Sequence, residues 1–269
     1  MQSCSTTAQD TTNAASSLCA DERPFRYVLS AGRTGTVFLE GFLNRQISKV
    51  TAVHEPPETR WQMMLANLRN DWGVGDGLLR AIFQRLRQKR ESAVGGDYVE
   101  LNPFLCAMTD LLPLPGRDLR VVHMVRDPAT WAHSISSFKA SSTFRPIIDL
   151  VPFAKPYPTP RPRNWSKLSD YERALWRWNW CNNRILELRD QCTAFTIVRY
   201  EDLFNADANK TVSALNGICN TLALSPPDQF DLDSLAKRLN PKPDKGLVAD
   251  PLAASRICGE LAREFGYAY

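Results

Sequence analysis

No apolar run in this chain is long enough to cross a bilayer, which takes about 20 consecutive residues. That argues against a helical membrane protein. There is no Cys-x-x-Cys either. The seven cysteines (Cys4, Cys19, Cys106, Cys181, Cys192, Cys219 and Cys258) are scattered and odd in number. Neither a zinc site nor a disulfide framework is therefore expected, and most should be buried, reduced thiols. No internal repeat of solenoid period is present. Charge of one sign is not in large excess: 33 Lys and Arg against 29 Asp and Glu leave a net +4. That balance suits anionic ligands but is too small to argue for nucleic acid. Residues 1–24 lack the basic start and apolar centre of a signal peptide. Rich in Ser, Thr, Ala and Asn, they are expected to form a flexible tail, with a transit peptide as the alternative.

What is present is an alternation of strand-like and helix-like segments. Apolar runs predict strands over Arg26–Ser30, Lys49–Val53, Asp97–Leu101, Leu119–Val125 and Ala194–Arg199. Helices are predicted over Thr36–Arg45, Thr59–Asn70, Leu78–Arg90, Ala129 to about Ala140, and Ser169–Arg189. This order predicts a three-layer α/β fold, a mostly parallel central sheet with helices on both faces. A chain of 269 residues buries one substantial core, so residues 25–269 are expected to form a single domain. The composition fits a soluble cytoplasmic enzyme, monomer or homodimer, with neither nucleic acid nor membrane as partner.

Ligands of such sheets bind beyond the carboxyl ends of the strands, and two anion-binding patterns fall there. The first is Ser30-Ala31-Gly32-Arg33-Thr34-Gly35-Thr36, between the strand Tyr27-Val28-Leu29 and an amphipathic run. Its glycines let the backbone approach phosphate oxygens, and the N–H groups at the helix start favour an anion. Arg33 adds a cation and Thr36 a hydroxyl. The usual nucleotide-triphosphate loop ends in Gly-Lys-Ser/Thr. Here no lysine precedes Thr36, so the loop suits a phosphate-like group that is not handled as an ATP γ-phosphate. The second pattern is Arg126-Asp127-Pro128 at the end of a buried strand, with Pro128 suited to a first helical turn. Ser134 lies about two turns further on. If the chain folds back at Asp127-Pro128, Arg126 and Ser134 converge on one phosphate.

These stretches resemble the sulfotransferases that use 3′-phosphoadenosine 5′-phosphosulfate (PAPS). Ser30 to Thr36 is similar to their 5′-phosphosulfate loop, and Val125-Arg126-Asp127-Pro128 with Ser134 to their 3′-phosphate motif. Arg199-Tyr200-Glu201-Asp202-Leu203 resembles the segment that follows a late strand in the family, and Asn240-Pro241-Lys242-Pro243-Asp244-Lys245-Gly246 its C-terminal cofactor loop. The four landmarks occur in family order over roughly residues 25–250. The resemblance implies a P-loop-like sulfotransferase fold, with PAPS as donor, 3′-phosphoadenosine 5′-phosphate (PAP) as product, and no metal. It implies that Gly32, Arg33, Thr34, Gly35 and Thr36 hold the 5′ end, and Arg126 and Ser134 the 3′-phosphate. Tyr200 would approach the adenine, and Lys242 or Lys245, beside Gly246, would close over the phosphate. The acceptor would be a small molecule with a hydroxyl or amine.

Sulfuryl transfer to a hydroxyl needs a base for the acceptor proton. The second strand ends in Val53-His54-Glu55-Pro56-Pro57, and Glu55 emerges beside the first loop if the two strands are neighbours. The resemblance also puts a catalytic glutamate after this strand in several branches, so Glu55 is the expected base and His54 its rival. Arg33, with the amides of Thr34 to Thr36, would stabilise charge during transfer. His123, inside a strand, reads as a core histidine. Tyr98-Val99-Glu100-Leu101-Asn102-Pro103 resembles a Glu-Lys-Ser/Thr-Pro segment but lacks its lysine and hydroxyl; Asn102 reads equally as a plain strand exit. Trp176, Trp178 and Trp180 are expected to be core, and Arg80, Arg85, Arg87, Lys89 and Arg90 a solvated helix face. The proline-rich stretch over about 141–168 is either a surface linker or an acceptor lid. Two other classes remain open: a nucleotide kinase or other phosphoryl transferase on a similar sheet, and a catalytically silent PAPS-binding protein.

Overall fold

The computed structural model describes residues 23–136, 158–232 and 250–269. Five strands form one sheet: β1 (Phe25–Ser30), β2 (Val50–His54), β3 (Asp97–Leu101), β4 (Leu119–Val125) and β5 (Ala194–Arg199). Their order is β2-β3-β1-β4-β5, and every neighbouring pair is parallel. All five expected strands are present. The second starts one residue late because Lys49 takes a left-handed backbone, φ 59°.

Parallel sheets are covered on both faces, and β1 shows how the sequence meets that demand. Phe25, Tyr27 and Leu29 point into one core, while Val28 points into the other. The second core is closed by α1 (Thr36–Gln46), through Phe38, Leu39, Phe42 and Leu43, and by α7 (Ala208–Thr221), through Leu215 and Ile218. The first core is closed by five further helices. These are α2 (Thr59–Trp72), α3 (Asp76–Ser92), α4 (Pro128–Ser136), α5 (Asp170–Leu186) and α8 (Pro251–Glu264). A four-residue α6 (Tyr200–Leu203) leaves β5 directly. Among the described residues no helix is long and apolar enough to cross a membrane.

Capping chemistry sets several boundaries. Ser169 accepts from the Glu172 amide while Glu172 returns a bond to the Ser169 amide, a reciprocal capping box that starts α5. Asp207 and Asp250 cap α7 and α8, with Pro251 in the first turn of α8.

Two expectations are corrected. Arg87 and Arg90 do not belong to a solvated face. Arg87 is buried, stacks on Phe25 and donates to the Leu112 carbonyl at 2.9 Å. Arg90 pairs with buried Glu100 at 3.1 Å and with Glu58 at 3.0 Å. The helix carries more arginines than its outer face uses, and the long apolar stems let two of them turn inward toward a ring and a carboxylate. Of the tryptophans, Trp178 is core. Trp176 and Trp180 are half-buried and form a cluster in which Trp165 meets Trp176 edge to face.

At the expected tail boundary, Arg23 donates to the Gly96 carbonyl at 2.7 Å and its own carbonyl accepts from Arg117. Of the proline-rich stretch, Pro158 and Thr159 are buried, and the Thr159 hydroxyl donates to the Asn67 carbonyl of α2. Its residues 141–157 lie outside the described ones.

Candidate active site

All five strands end on the same side, so the loops that follow them share one edge. After β1 the chain takes three left-handed residues, Gly32 (φ 89°), Arg33 (φ 55°) and Gly35 (φ 85°). Consecutive turns of this kind aim backbone N–H groups at one point. Helix α1 then begins with Gly35 as its cap and no side-chain hydrogen bond on its first amides. An uncapped helix start of this kind favours an anion.

The loop is braced from behind by groups that sequence reading missed. Trp131 of α4 donates its indole N–H to the Gly32 carbonyl, and Arg177 of α5 donates to the Ala31 carbonyl at 3.3 Å. Ser30 Oγ accepts from the Gly32 amide at 3.1 Å. Trp178 donates to the Arg126 carbonyl at 2.9 Å, so one helix supports both anion motifs. The tryptophans were visible in the sequence, but nothing local says which face of a helix passes under which loop.

Gly35 is tight as well as left-handed. A Cβ there would lie 2.6 Å from the Phe204 ring, which itself packs on Phe38 and Tyr200. The left-handed backbone costs a non-glycine residue about 1–2 kcal/mol, and overpacking adds to that. Gly35→Ala is therefore expected to lower unfolding stability by about 2 kcal/mol or more, read as a shifted urea midpoint. An unchanged midpoint would mean that the Phe204 ring yields freely.

The second motif reaches the first. Arg126 Nη1 lies 3.5 Å from the Arg33 carbonyl, and Arg33 Nε lies 3.4 Å from Ser134 Oγ. Arg126 also sits over the Tyr200 ring, 4.6 Å from its centre. Glu201 fixes this corner: its carboxylate accepts from the Asp127 amide at 3.0 Å and from the Tyr267 hydroxyl at 2.8 Å. The Arg33 guanidinium is held below the ordinary arginine range, first by loss of water around it and then by the neighbouring Arg126 charge. Thr34 Oγ1 and Arg126 Nε are buried with no hydrogen-bond partner among the described residues. Buried polar atoms are seldom left so.

The second strand behaves differently from expectation. β2 is not the neighbour of β1, because β3 lies between them. His54 nevertheless reaches the end of the loop at the start of α1, with Nε2 3.0 Å from Thr36 Oγ1. Its backbone N–H donates to Glu40 of α1. Glu55 follows in a left-handed turn (φ 46°), its amide bonded to the Leu101 carbonyl, and its Oε1 lies 3.8 Å from His54 Nε2. Glu55 does not cap α2; Glu58 occupies that position. Its side chain lines a cavity of about 260 Å³ together with Pro56, Pro57, Arg60 and Phe104.

Asn102 is fully buried. It accepts from the Phe104 amide and donates to Glu100 at 2.6 Å and Thr59 at 3.0 Å. It caps the 3-10 segment Pro103–Leu111 and ties that segment to α2, a structural strand exit. Lys242, Lys245 and Gly246 lie outside the described residues. Among the described residues no group of three or more His, Cys, Asp or Glu side chains is arranged to hold a metal ion.

No protein-family model and no curated protein matches the chain. Solved structures do. The sulfotransferase STF9 from Mycobacterium avium superposes with a TM-score of 0.58 at 16% identity, over 92% of this chain and 78% of that one. This chain has the sulfotransferase fold. The sulfotransferase STF1 from Mycobacterium tuberculosis gives 0.54 at 17% identity, over 92% and 80%. The P-loop-like architecture that the resemblance implied is thus the one observed, with the glycine loop at the end of the central strand β1.

Proposed function

We propose that this protein transfers the sulfuryl group of PAPS to a hydroxyl or amine of a small-molecule acceptor. The observation that carries the reading is the convergence of two arginines at an uncapped helix start, with Arg126 Nη1 3.5 Å from the Arg33 carbonyl. Like charges are brought together there, and the Arg126 charge disfavours that of Arg33. A doubly anionic ligand removes that conflict, and Thr34 Oγ1 and Arg126 Nε, buried with no hydrogen-bond partner among the described residues, offer it further donors.

When bound, the donor supplies an activated sulfuryl group on a phosphate leaving group. The loop amides from Gly32 to Thr36 and the Arg33 guanidinium hold the 5′ end and stabilise negative charge there, where preorganised donors contribute most. Arg126 and Ser134 hold the 3′-phosphate, and Tyr200 stacks beside the nucleoside. Glu55, which faces the cavity, takes the acceptor proton. His54, turned toward Thr36, orients that hydroxyl and the Glu55 carboxylate.

The test is cofactor discrimination followed by transfer. A charge-assisted hydrogen bond contributes about 1.5–3 kcal/mol. Arg126→Ala should therefore weaken PAP binding roughly tenfold to a hundredfold and leave adenosine 5′-monophosphate little changed in calorimetry. Equal loss for both ligands refutes the 3′-phosphate assignment. Sulfur-labelled PAPS offered with a panel of small hydroxyl and amine acceptors should then label a product. Strict Mg²⁺ and ATP dependence would move the protein to the phosphoryl transferases. Tight PAP binding with no transfer would make it a silent binder.

A further inference from the structure

Behind the glycine loop, two buried thiols meet. Cys106, on the 3-10 segment after β3, and Cys181, on α5, place their sulfurs 3.1 Å apart although they are 75 residues apart in sequence. A disulfide bond is about 2.05 Å long, so an approach of roughly 1 Å separates the pair from a covalent link. The Cys106 thiol also points at the Pro103 carbonyl. A small cavity of about 10 Å³ touches both cysteines, together with Met63, Phe104, Pro158 and Arg177. That is about the room one water needs, and hydrogen peroxide is only slightly larger.

Arg177 joins this pair to the loop. One of its nitrogens donates to the Ala31 carbonyl, while its Nε is buried with no hydrogen-bond partner among the described residues. The two thiols are unequal. Burial pushes the Cys181 thiol up, but the hydrogen bond from Cys106 and the Arg177 charge outweigh it, and the net shift is down. Cys106, the donor in that bond and also buried, is held well up. A thiol lowered beside a cation is the member of the pair that ionises more readily, and the thiolate is the nucleophile.

We propose that Cys106 and Cys181 are a peroxide-sensitive dithiol whose reversible disulfide slackens the anion loop through Arg177. The Cys181 thiolate attacks one peroxide oxygen; the O–O bond breaks, hydroxide leaves and takes a proton to become water, and a sulfenic acid remains on Cys181. The Cys106 sulfur then displaces that sulfenic oxygen as a second water, and the S–S bond forms. Two thiols and one hydrogen peroxide give one disulfide and two waters. The disulfide leaves no ionisable sulfur facing Arg177, and the sulfurs draw together under the loop. Arg177 then holds Ala31 less firmly.

The inference does not depend on the ligand assigned above, and its readouts need none. The full chain is treated with hydrogen peroxide, alkylated, and mapped without reductant. The expected product is one cross-linked peptide pair carrying Cys106 and Cys181, with loss of two hydrogens, reversed by dithiothreitol. Cys192 is the comparator: it is half-buried, and burial pushes its thiol up to about 12. It should remain alkylatable after the pair has reacted. C106S should stop at a dimedone-trappable sulfenic acid on Cys181, and C181S should give no cross-link; C106A and C181A repeat the test should either serine variant fold poorly. Hydrogen exchange of the Ala31–Thr36 amides should quicken about twofold to tenfold on oxidation, the scale of one hydrogen bond. Oxidation confined to Cys192, or no cross-link at all, overturns the dithiol. A cross-link that leaves exchange in the loop unchanged overturns the coupling through Arg177.

Discussion

Glu55→Gln is expected to lower turnover on the true acceptor by about 10²–10⁴-fold, the usual worth of a general base, and to leave PAP affinity nearly unchanged. Gln keeps the size and part of the hydrogen bonding of the side chain but cannot take a proton. The expectation rests on position. Glu55 lines the 260 Å³ cavity, whereas His54 is bonded to Thr36 at the start of α1. His54→Asn is the discriminating partner. Its loss should be smaller and should include a change in donor binding, because Thr36 belongs to the loop. Steady-state kinetics and calorimetry on both variants separate the roles. A dead His54→Asn beside a near-normal Glu55→Gln assigns the base to His54. Two normal variants put the base outside this segment.

Acidification from pH 6.5 to pH 4 destabilises the fold by about 3 kcal/mol through His123 alone. This side chain lies fully buried on β4, with Nε2 2.8 Å from Asn182 Oδ1 and Nδ1 without a hydrogen-bond partner among the described residues. Phe195 and Phe265 meet it edge-on. Burial lowers its pKa from 6.5 to about 4, and the Asn182 bond only partly opposes the shift. Above pH 6.5 neither the folded nor the unfolded chain protonates the ring, and there is no penalty. As pH falls below 6.5 the unfolded chain takes up the proton first, so stability falls until the folded ring titrates near 4. Urea unfolding of the wild type and His123→Gln across this range measures the term free of the carboxylates, which titrate in both proteins. Gln retains a donor for Asn182 and has no proton to gain, so its deficit relative to wild type should shrink toward pH 4. Parallel pH profiles would show that His123 contributes no such term.

Much of the fold was legible because the signals are local. The five strands are apolar runs flanked by turn residues. Helix α5 starts where Ser169 and Glu172 stand three apart, and α4 starts at a proline. The last two helices, Ala208–Thr221 and Pro251–Glu264, were not anticipated, although Asp207 and Asp250-Pro251 are ordinary start signals. Their buried faces are made largely of small or polar side chains, Thr211, Cys219 and Thr221 in one and Ala253, Ala254, Cys258 and Ala262 in the other, which carry a weaker apolar signal than Leu, Ile or Phe. The inward turn of Arg87 and Arg90 was not legible for another reason. An arginine on an amphipathic helix has the same sequence signature whether it meets water, the face of Phe25 or the carboxylate of Glu100.

The sequence by itself determined the five strands and the α-helices that follow β1, β2 and β4, the glycine loop after β1, and the arginine-proline turn after β4. Each is fixed within a few residues by backbone sterics, side-chain periodicity and capping. Only the tertiary structure decided that β3 separates β1 from β2, and that His54 nevertheless meets Thr36 at the start of α1. It alone laid α5 beneath both anion motifs, giving Arg177 to Ala31 and Trp178 to Arg126, and brought Cys106 against Cys181. These pairings join residues far apart in the chain. They are selected by which apolar faces bury together most completely, and that choice leaves no local trace in the sequence.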